Sequence, residues 1–287
     1  MGLRQSDALF SHIKNLPELC EETFVELLGR NVDIVCASEY PRREENSYMP
    51  VFAASKSFGK SLAAALNCIY YPISHQEGHI AAGILSAKRF DLLDEEFLAL
   101  HISGGTTELL HVKPAFDDEH AFDTHIVGGT KDLNAGQYVD RVGVSLGFSF
   151  PAGGELDTCS CTITEDAMKI PIHTEGSYLS FSGPESCVMR IIEEGKHSKQ
   201  EIARATFNSI AQSLVNISRN ALENTNVQRL LVVGGVSGNT IIRKRLMDMT
   251  HENGMRYDVI FATKELSGDN AVGASYIGQI MKSRRGV

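Results

Sequence analysis

The chain contains no tryptophan, and aromatic residues amount to 7% of its 287 positions. It contains no CxxC pair. Of its six cysteines (Cys20, Cys36, Cys68, Cys159, Cys161 and Cys187), only Cys159 and Cys161 stand close together, and no second pair completes a metal site with them. Most of the cysteines fall in apolar runs such as VDIVCAS, which reads as buried thiols of a reducing cytoplasm. No apolar run approaches the ~20 residues needed to span a bilayer, and the start of the chain lacks a signal-peptide core. MGLRQS fits the loose myristoylation pattern, a match short enough to arise by chance. A cytoplasmic protein without membrane attachment is therefore expected. Positive charge is also in deficit: 27 Lys and Arg stand against 36 Asp and Glu, a formal net charge of −9. That balance argues against a broad nucleic-acid surface, so an RNA substrate would need a local patch or a basic partner.

What remains is an ordinary globular balance, 43% hydrophobic and 22% charged, in a chain long enough for one large core or two lobes. Leu9, Phe10, Ile13, Leu16 and Leu19 recur at helical steps in the first thirty residues. A strand (VDIVCAS), a charged loop, an Ala-rich helix (FAASKSFGKSLAAALN) and a second strand (IYYPI) follow. This is β-α-β-α alternation, an α/β layer. Around residue 95 the pattern changes to three short strands, FLALHIS, TELLHVK and FDTHIVG, which predict an antiparallel meander opening a second lobe. Alternation of Leu98, Leu100 and Ile102 with Ala99, His101 and Ser103 suits a half-buried strand. A helix from about 131, a Gly-rich turn at FPAGGE and a long loop over 165–184 come next. Phe207, Ile210, Leu214, Ile217 and Ala221 then mark one stripe of a helix over roughly 199–224. Strand RLLVV, a Gly-Gly turn, a helix, strand DVIFA and a final helix complete the chain.

Four short stretches could carry chemistry. In SHQEGH, a helix starting after Ser74 would put His75 and His79 one turn apart on one face, at metal-ligand spacing. Both could equally pack or cap without a metal. The zincin pattern HExxH has its glutamate directly after the first histidine. Here Gln76 holds that place, and Glu77, at about 100° per residue, points nearly opposite the histidine face. In HISGGTTELL, glycines after a strand could bring backbone N–H groups to a phosphate, or simply make a tight hairpin. In VVGGVSGN, a strand, a Gly-Gly turn and a helix near Asn239 could cradle an anion or be an ordinary turn. Val236 at the second glycine position argues against a Rossmann dinucleotide site. FGKS (58–61) looks like the tail of a P-loop, but Ala54 replaces the required glycine inside a helix. In SGDN, Asp269 either caps the last helix or joins the two histidines in a site suited to iron or zinc.

In this order, HxEGH, SGGxT, AGQYVDR, PAGG, SFSG, GGVSGN and SGDN resemble the universal tRNA threonylcarbamoyladenosine synthase family. These threonylcarbamoyltransferases were earlier described as O-sialoglycoprotein endopeptidases or glycoproteases. The resemblance runs from Gly2 to about residue 282. It implies an α/β, actin-like ATPase fold of ribonuclease-H-like lobes with a central cleft. The lobes would be residues 1–94 with 270–287, and residues 95–269. It implies His75, His79 and Asp269 as ligands of one divalent metal, iron or zinc. His101, Ile102, Ser103, Gly104 and Gly105 would line bound ATP or threonylcarbamoyl-adenylate. Asp140 would hold the ribose, Gly153 would pass close to the nucleoside, and Asn239 would meet its base or ribose region. No catalytic base is assigned.

The implied reaction is metal-dependent transfer of threonylcarbamoyl from the adenylate to N6 of adenosine in tRNA. Partner proteins would help, among them a smaller paralogue and an ATPase, and a homodimer is a further implied assembly. Against the family pattern, Thr106 replaces a histidine in SGGHT, Ser74 stands where a histidine often precedes HxEGH, and Gln137 and Arg141 replace glutamate and lysine. The chain starts downstream of the family's opening ETSCDDT-type hairpin, so either the start is truncated, which is the expectation, or part of the phosphate grip has been lost. Two other readings stay open: a non-catalytic nucleotide-binding scaffold and a metallo-glycoprotease.

Overall fold

The computed structural model describes residues 4–27, 29–43, 47–117, 120–166, 168–250, 257–266, 268 and 271–285. The chain divides into two compact units: Met1–Leu85 with Pro114–Asp123 and Asp269–Val287, and Ser86–Lys113 with Thr124–Gly268.

In the first unit, β1 (Ile34–Tyr40) and β2 (Ile69–Ser74) run parallel, with Ile34 opposite Ile69 and Cys36 opposite Tyr71. The link between them is α2 (Phe52–Leu66), an Ala-rich helix ended by Asn67 in the left-handed conformation. Gly59 lets α2 lie on β1, since a Cβ there would stand 2.9 Å from Ala37 Cβ. On β1 also rests α9 (Ala271–Arg285), where Gly278 faces Ile34 and the Cys36 sulfur. Burial there pushes the Cys36 thiol up to about 12. The opening helix α1 (Gln5–Glu26) forms as its periodicity predicts but buries none of its residues. Phe10, Ile13 and Leu19 remain 69%, 58% and 56% exposed, so its stripe is uncovered by the described residues. No helix among them is long and apolar enough to cross a membrane.

The second unit is built on a seven-stranded sheet in the order β6-β7-β5-β4-β3-β8-β9. Its centre is β3 (Phe97–Ile102), antiparallel to β4 (Thr107–Pro114) and parallel to β8 (Arg229–Val233). Beyond these lie β5 (Phe122–Thr130) on one side and β9 (Asp258–Phe261), parallel to β8, on the other. Against the half-buried expectation, β3 is buried at every position, because a central strand has both faces covered. Helix α7 (Lys199–Thr225) is started by a capping box, with Ser198 Oγ accepting from Glu201 N–H and the Glu201 carboxylate answering. Its predicted stripe, Phe207, Ile210, Leu214, Ile217 and Ala221, is buried in one core with Leu98 and Leu100 of β3. Each of the four larger side chains, Phe207, Ile210, Leu214 and Ile217, contributes roughly 1.5–3 kcal/mol on burial.

Three readings of the sequence are corrected here. Helix α4 (Ala135–Ser145) starts later than residue 131, and PAGG opens a helix, α5 (Gly153–Ser160), rather than a turn. The stretch 165–184 contains a hairpin, β6 (His173–Glu175) with β7 (Tyr178–Ser180), and the start of α6 (Ser182–Glu194). The cysteines are free thiols, five partly buried and Cys161 exposed.

The SFSG motif is held by one carboxylate. Asp132 accepts from the N–H groups of Leu133, Phe181 and Ser182 and from the Ser180 hydroxyl. These bonds keep its carboxyl well below the usual range. Asp132→Ala is expected to cost about 1–3 kcal/mol, the loss of charge-assisted hydrogen bonds. The depressed value gives the sign: this stabilisation is present above the unfolded aspartate value near ~3.9 and is lost as pH falls below it. Urea unfolding of wild type and variant at neutral and acid pH checks this, and a difference that persists in acid would refute it.

Candidate functional site

The histidine pair opens helix α3 (His75–Ala87), which runs on directly from β2. Ser74 Oγ accepts from Glu77 N–H at 3.1 Å, and the Glu77 carboxylate accepts from Ser74 N–H at 2.6 Å. This reciprocal cap fixes the first turn. It leaves the Nε2 atoms of His75 and His79 3.1 Å apart. Two imidazoles on one metal at about 2.0–2.1 Å put their nitrogens about 2.9–3.4 Å apart, so the pair fits a shared divalent cation. Burial lowers the His75 pKa, which favours the neutral ring that ligates. Among the described residues no third His, Cys, Asp or Glu completes a metal group, and Asp269 lies outside those residues.

Glu77 is fully committed elsewhere. It is 0% exposed, and besides Ser74 it accepts from Arg43 Nε at 2.9 Å and from the N–H groups of Ala121 and Phe122 at 3.0 and 3.3 Å. A carboxylate saturated with donors and shut off from water cannot serve as a general base. The Ser74-x-x-Glu77 spacing of a capping box was the sequence signal for this role.

In the second unit, α4, α5 and the turn that follows β8 surround a cavity of about 590 Å³, within the usual range for a small-molecule site. Helix α8 (Thr240–Asp248) is capped by Asn239, whose Oδ1 accepts from Ile242 N–H. Gly104, Asp140, Gly153 and Asn239 all line this cavity. A Cβ built on Gly104 meets nothing within 4 Å, and its φ lies outside the left-handed region. Neither a strained hairpin nor a close neighbour therefore requires glycine at 104, and the space above it is open. Gly234 is the opposite case: its φ of +95° and the nearby Ile102 carbonyl require glycine where β8 turns.

Asp140 Oδ1 accepts from Ala152 N–H at 2.9 Å, tying α4 to the start of α5. The Asn239 amide is divided, its oxygen capping α8 and its nitrogen donating to Asp157 Oδ1 at 2.6 Å. Burial raises the Asp157 carboxyl while the Lys264 cation opposes the rise. The charged side chains that line the cavity are Asp140, Asp157 and Glu265 against Lys264. Among the described residues, an anionic ligand would thus meet one cation and three carboxylates.

The TsaD family model, tRNA N6-adenosine threonylcarbamoyltransferase, matches residues 9–276. The chain belongs to this family. Proteins of that name are 31% identical in Persephonella marina (80% of this chain, 66% of that protein), 28% in Thermotoga neapolitana (96% and 80%) and 31% in Thermus thermophilus (90% and 74%). The chain thus spans just under two thirds of the Persephonella protein and more of the other two. Among solved structures, full-length HypF in its phosphate- and nucleotide-bound form superposes with a TM-score of 0.60 at 13% identity, covering 88% of this chain and 46% of that one. T. kodakarensis HypF does so with the same score at 14% identity, covering 88% and 40%. The fold is the actin-like ATPase, ribonuclease-H-like one.

Within this TsaD chain the expected site residues do not all gather. His101, Ile102, Ser103 and Gly105 are not among the described residues that line the cavity. His101 is buried in β3, where Gly234 packs against its ring, and Ile102 belongs to the apolar core. Ser103 Oγ accepts from the N–H groups of Gly105 and Thr106, so it shapes the turn that presents Gly104. Gln137, a departure from the family pattern, closes the capping box of α4 with Asn134. That work does not need a carboxylate. Asp157 and Lys264 escape sequence reasoning because neither lies in a glycine-rich or histidine motif.

Proposed function

We propose that this TsaD-family chain transfers a threonylcarbamoyl group from threonylcarbamoyl-adenylate to N6 of adenosine in tRNA, and that the adenylate, or ATP, occupies the cavity of the second unit. What carries the reading is the convergence of Gly104, Asp140, Gly153 and Asn239 on one cavity with open space above Gly104. Gly104 offers close backbone approach to a phosphate. Asp157, held by Asn239, and Asp140, held by Ala152, present carboxylate oxygens suited to ribose hydroxyls. Their fixed partners mean that neither has to be ordered when the ligand arrives.

His75 and His79, joined by Asp269, would hold one iron or zinc ion. Such a metal supplies Lewis-acid polarisation of a phosphoryl or carbonyl oxygen. The chain's own share is to turn both rings together through the Ser74–Glu77 cap at the start of α3, with burial favouring the neutral form of His75. A smaller paralogue and an ATPase are proposed as protein partners, with a homodimer as a further assembly. The scaffold reading loses support from Gln137, whose replacement of glutamate leaves the cap intact.

Labelled threonylcarbamoyl-adenylate mixed with the chain and unmodified tRNA should yield labelled tRNA. His75→Ala and His79→Ala should each abolish stoichiometric metal, measured by plasma mass spectrometry, and reduce transfer on the order of 100-fold or more. Absence of transfer even with partner proteins supplied would refute the reading.

A further inference from the structure

A second cavity, of about 540 Å³, opens beside the first on the neighbouring face of α5. Its walls include Phe148, Glu155, Thr158, Lys199 and Gln200, and the two cavities meet at Gly154, which lines both. A Cβ built on Gly154 meets nothing within 4 Å, so the saddle between them is open. Nothing in the nucleotide reading uses this space.

We propose that the second cavity seats an unpaired base of the RNA acceptor, next to the adenosine that receives the group. The proposal rests on the transferase reading above and names how that same site takes its second substrate. Three observations carry it. First, the Phe148 ring forms part of the cavity wall, and two residues further along the turn after α4 the ring of Phe150 is 57% exposed. Flat exposed aromatics are what unpaired bases stack on. Second, Lys199 Nζ stands 5.4 Å from the Phe148 ring centroid and, among the described residues, makes no ion pair. In a chain of net charge −9, a lysine beside the Phe148 ring with no ion pair among the described residues offers a contact to one phosphate. Third, the polar groups on the wall suit a base edge. Glu155 is steadied by Ser149 N–H at 3.4 Å and can accept from an exocyclic amine, while the Gln200 amide can donate and accept. Adenine and cytosine carry such an amine and uracil does not.

The test measures binding of unmodified tRNA, (A)7 and (U)7 by fluorescence anisotropy across a salt series, with an ATP analogue as the control ligand. Wild type should prefer (A)7 over (U)7. Phe150→Ala should weaken tRNA and (A)7 binding about 10-fold, the loss of one stacked base. Lys199→Ala should reduce the log–log salt slope by about 0.7, one phosphate contact on a single strand. Affinity for the ATP analogue should stay within about 2-fold, which shows that the first cavity and the fold survive. Unchanged RNA affinity and salt slope in both variants would overturn the proposal. If wild type still transfers label to tRNA in that case, the transferase reading stands and only this inference falls. If wild type neither binds RNA nor transfers label, both fall.

Discussion

Glu77→Ala is expected to cost about 3–5 kcal/mol of stability, the price of removing one partner from a buried ion pair. Arg43, its side chain only 15% exposed, loses its carboxylate partner among the described residues, and the N–H groups of Ser74, Ala121 and Phe122 lose their acceptor. The first turn of α3 loosens at the same time, so the spacing of His75 and His79 should widen and metal affinity should drop. Chemical unfolding followed by circular dichroism, with metal content measured in parallel, checks both. A variant that keeps wild-type stability while losing a hydrolytic activity would reinstate Glu77 as a base. The histidine motif would then belong to a peptidase after all.

Gly104→Val is the second large effect, and it is of the opposite kind. Nothing lies within 4 Å of the added Cβ and the backbone is not left-handed, so the fold should tolerate the change to within about 1 kcal/mol. The new side chain would stand in the space assigned to the ligand. Affinity for an ATP analogue, measured by calorimetry, should fall on the order of 100-fold, equivalent to about 2.7 kcal/mol. Gly136→Ala makes the contrast, since a Cβ there would stand 2.6 Å from Gly104 Cα and must displace the turn itself. Full affinity in Gly104→Val would move the ligand elsewhere.

How legible the molecule was in its sequence depended on the length of each signal. Helix α7 spans 27 residues, and the core positions predicted from its stripe are buried. The hairpin of β6 and β7 has three residues per strand, too few for alternation to register, so 165–184 reads as loop. For β3, alternation was misleading: Ala99 and His101 look like a solvent face, yet both are buried, because sequence periodicity does not report what covers the second face of a sheet. In the candidate site, the histidine spacing and the glycine turns were visible because chemistry at those places needs particular residue types. Asp157 and Lys264 were invisible because carboxylates and lysines occur everywhere, and only the fold brings these two to the cavity. Glu77 shows the mixed case, a motif residue whose place was readable and whose work was local.

One contact in the first unit has a mechanical meaning. Gly273, in the first turn of α9, lies so close to α3 that a Cβ would run into the Gly78 carbonyl and to within 2.8 Å of the Ala82 nitrogen. Gly78 is the residue immediately before His79. Two backbones touch there with no side chain between them, so no rotamer can yield to absorb a displacement. A shift of the first turn of α9 toward α3 would therefore press directly on the backbone of the turn that carries His79.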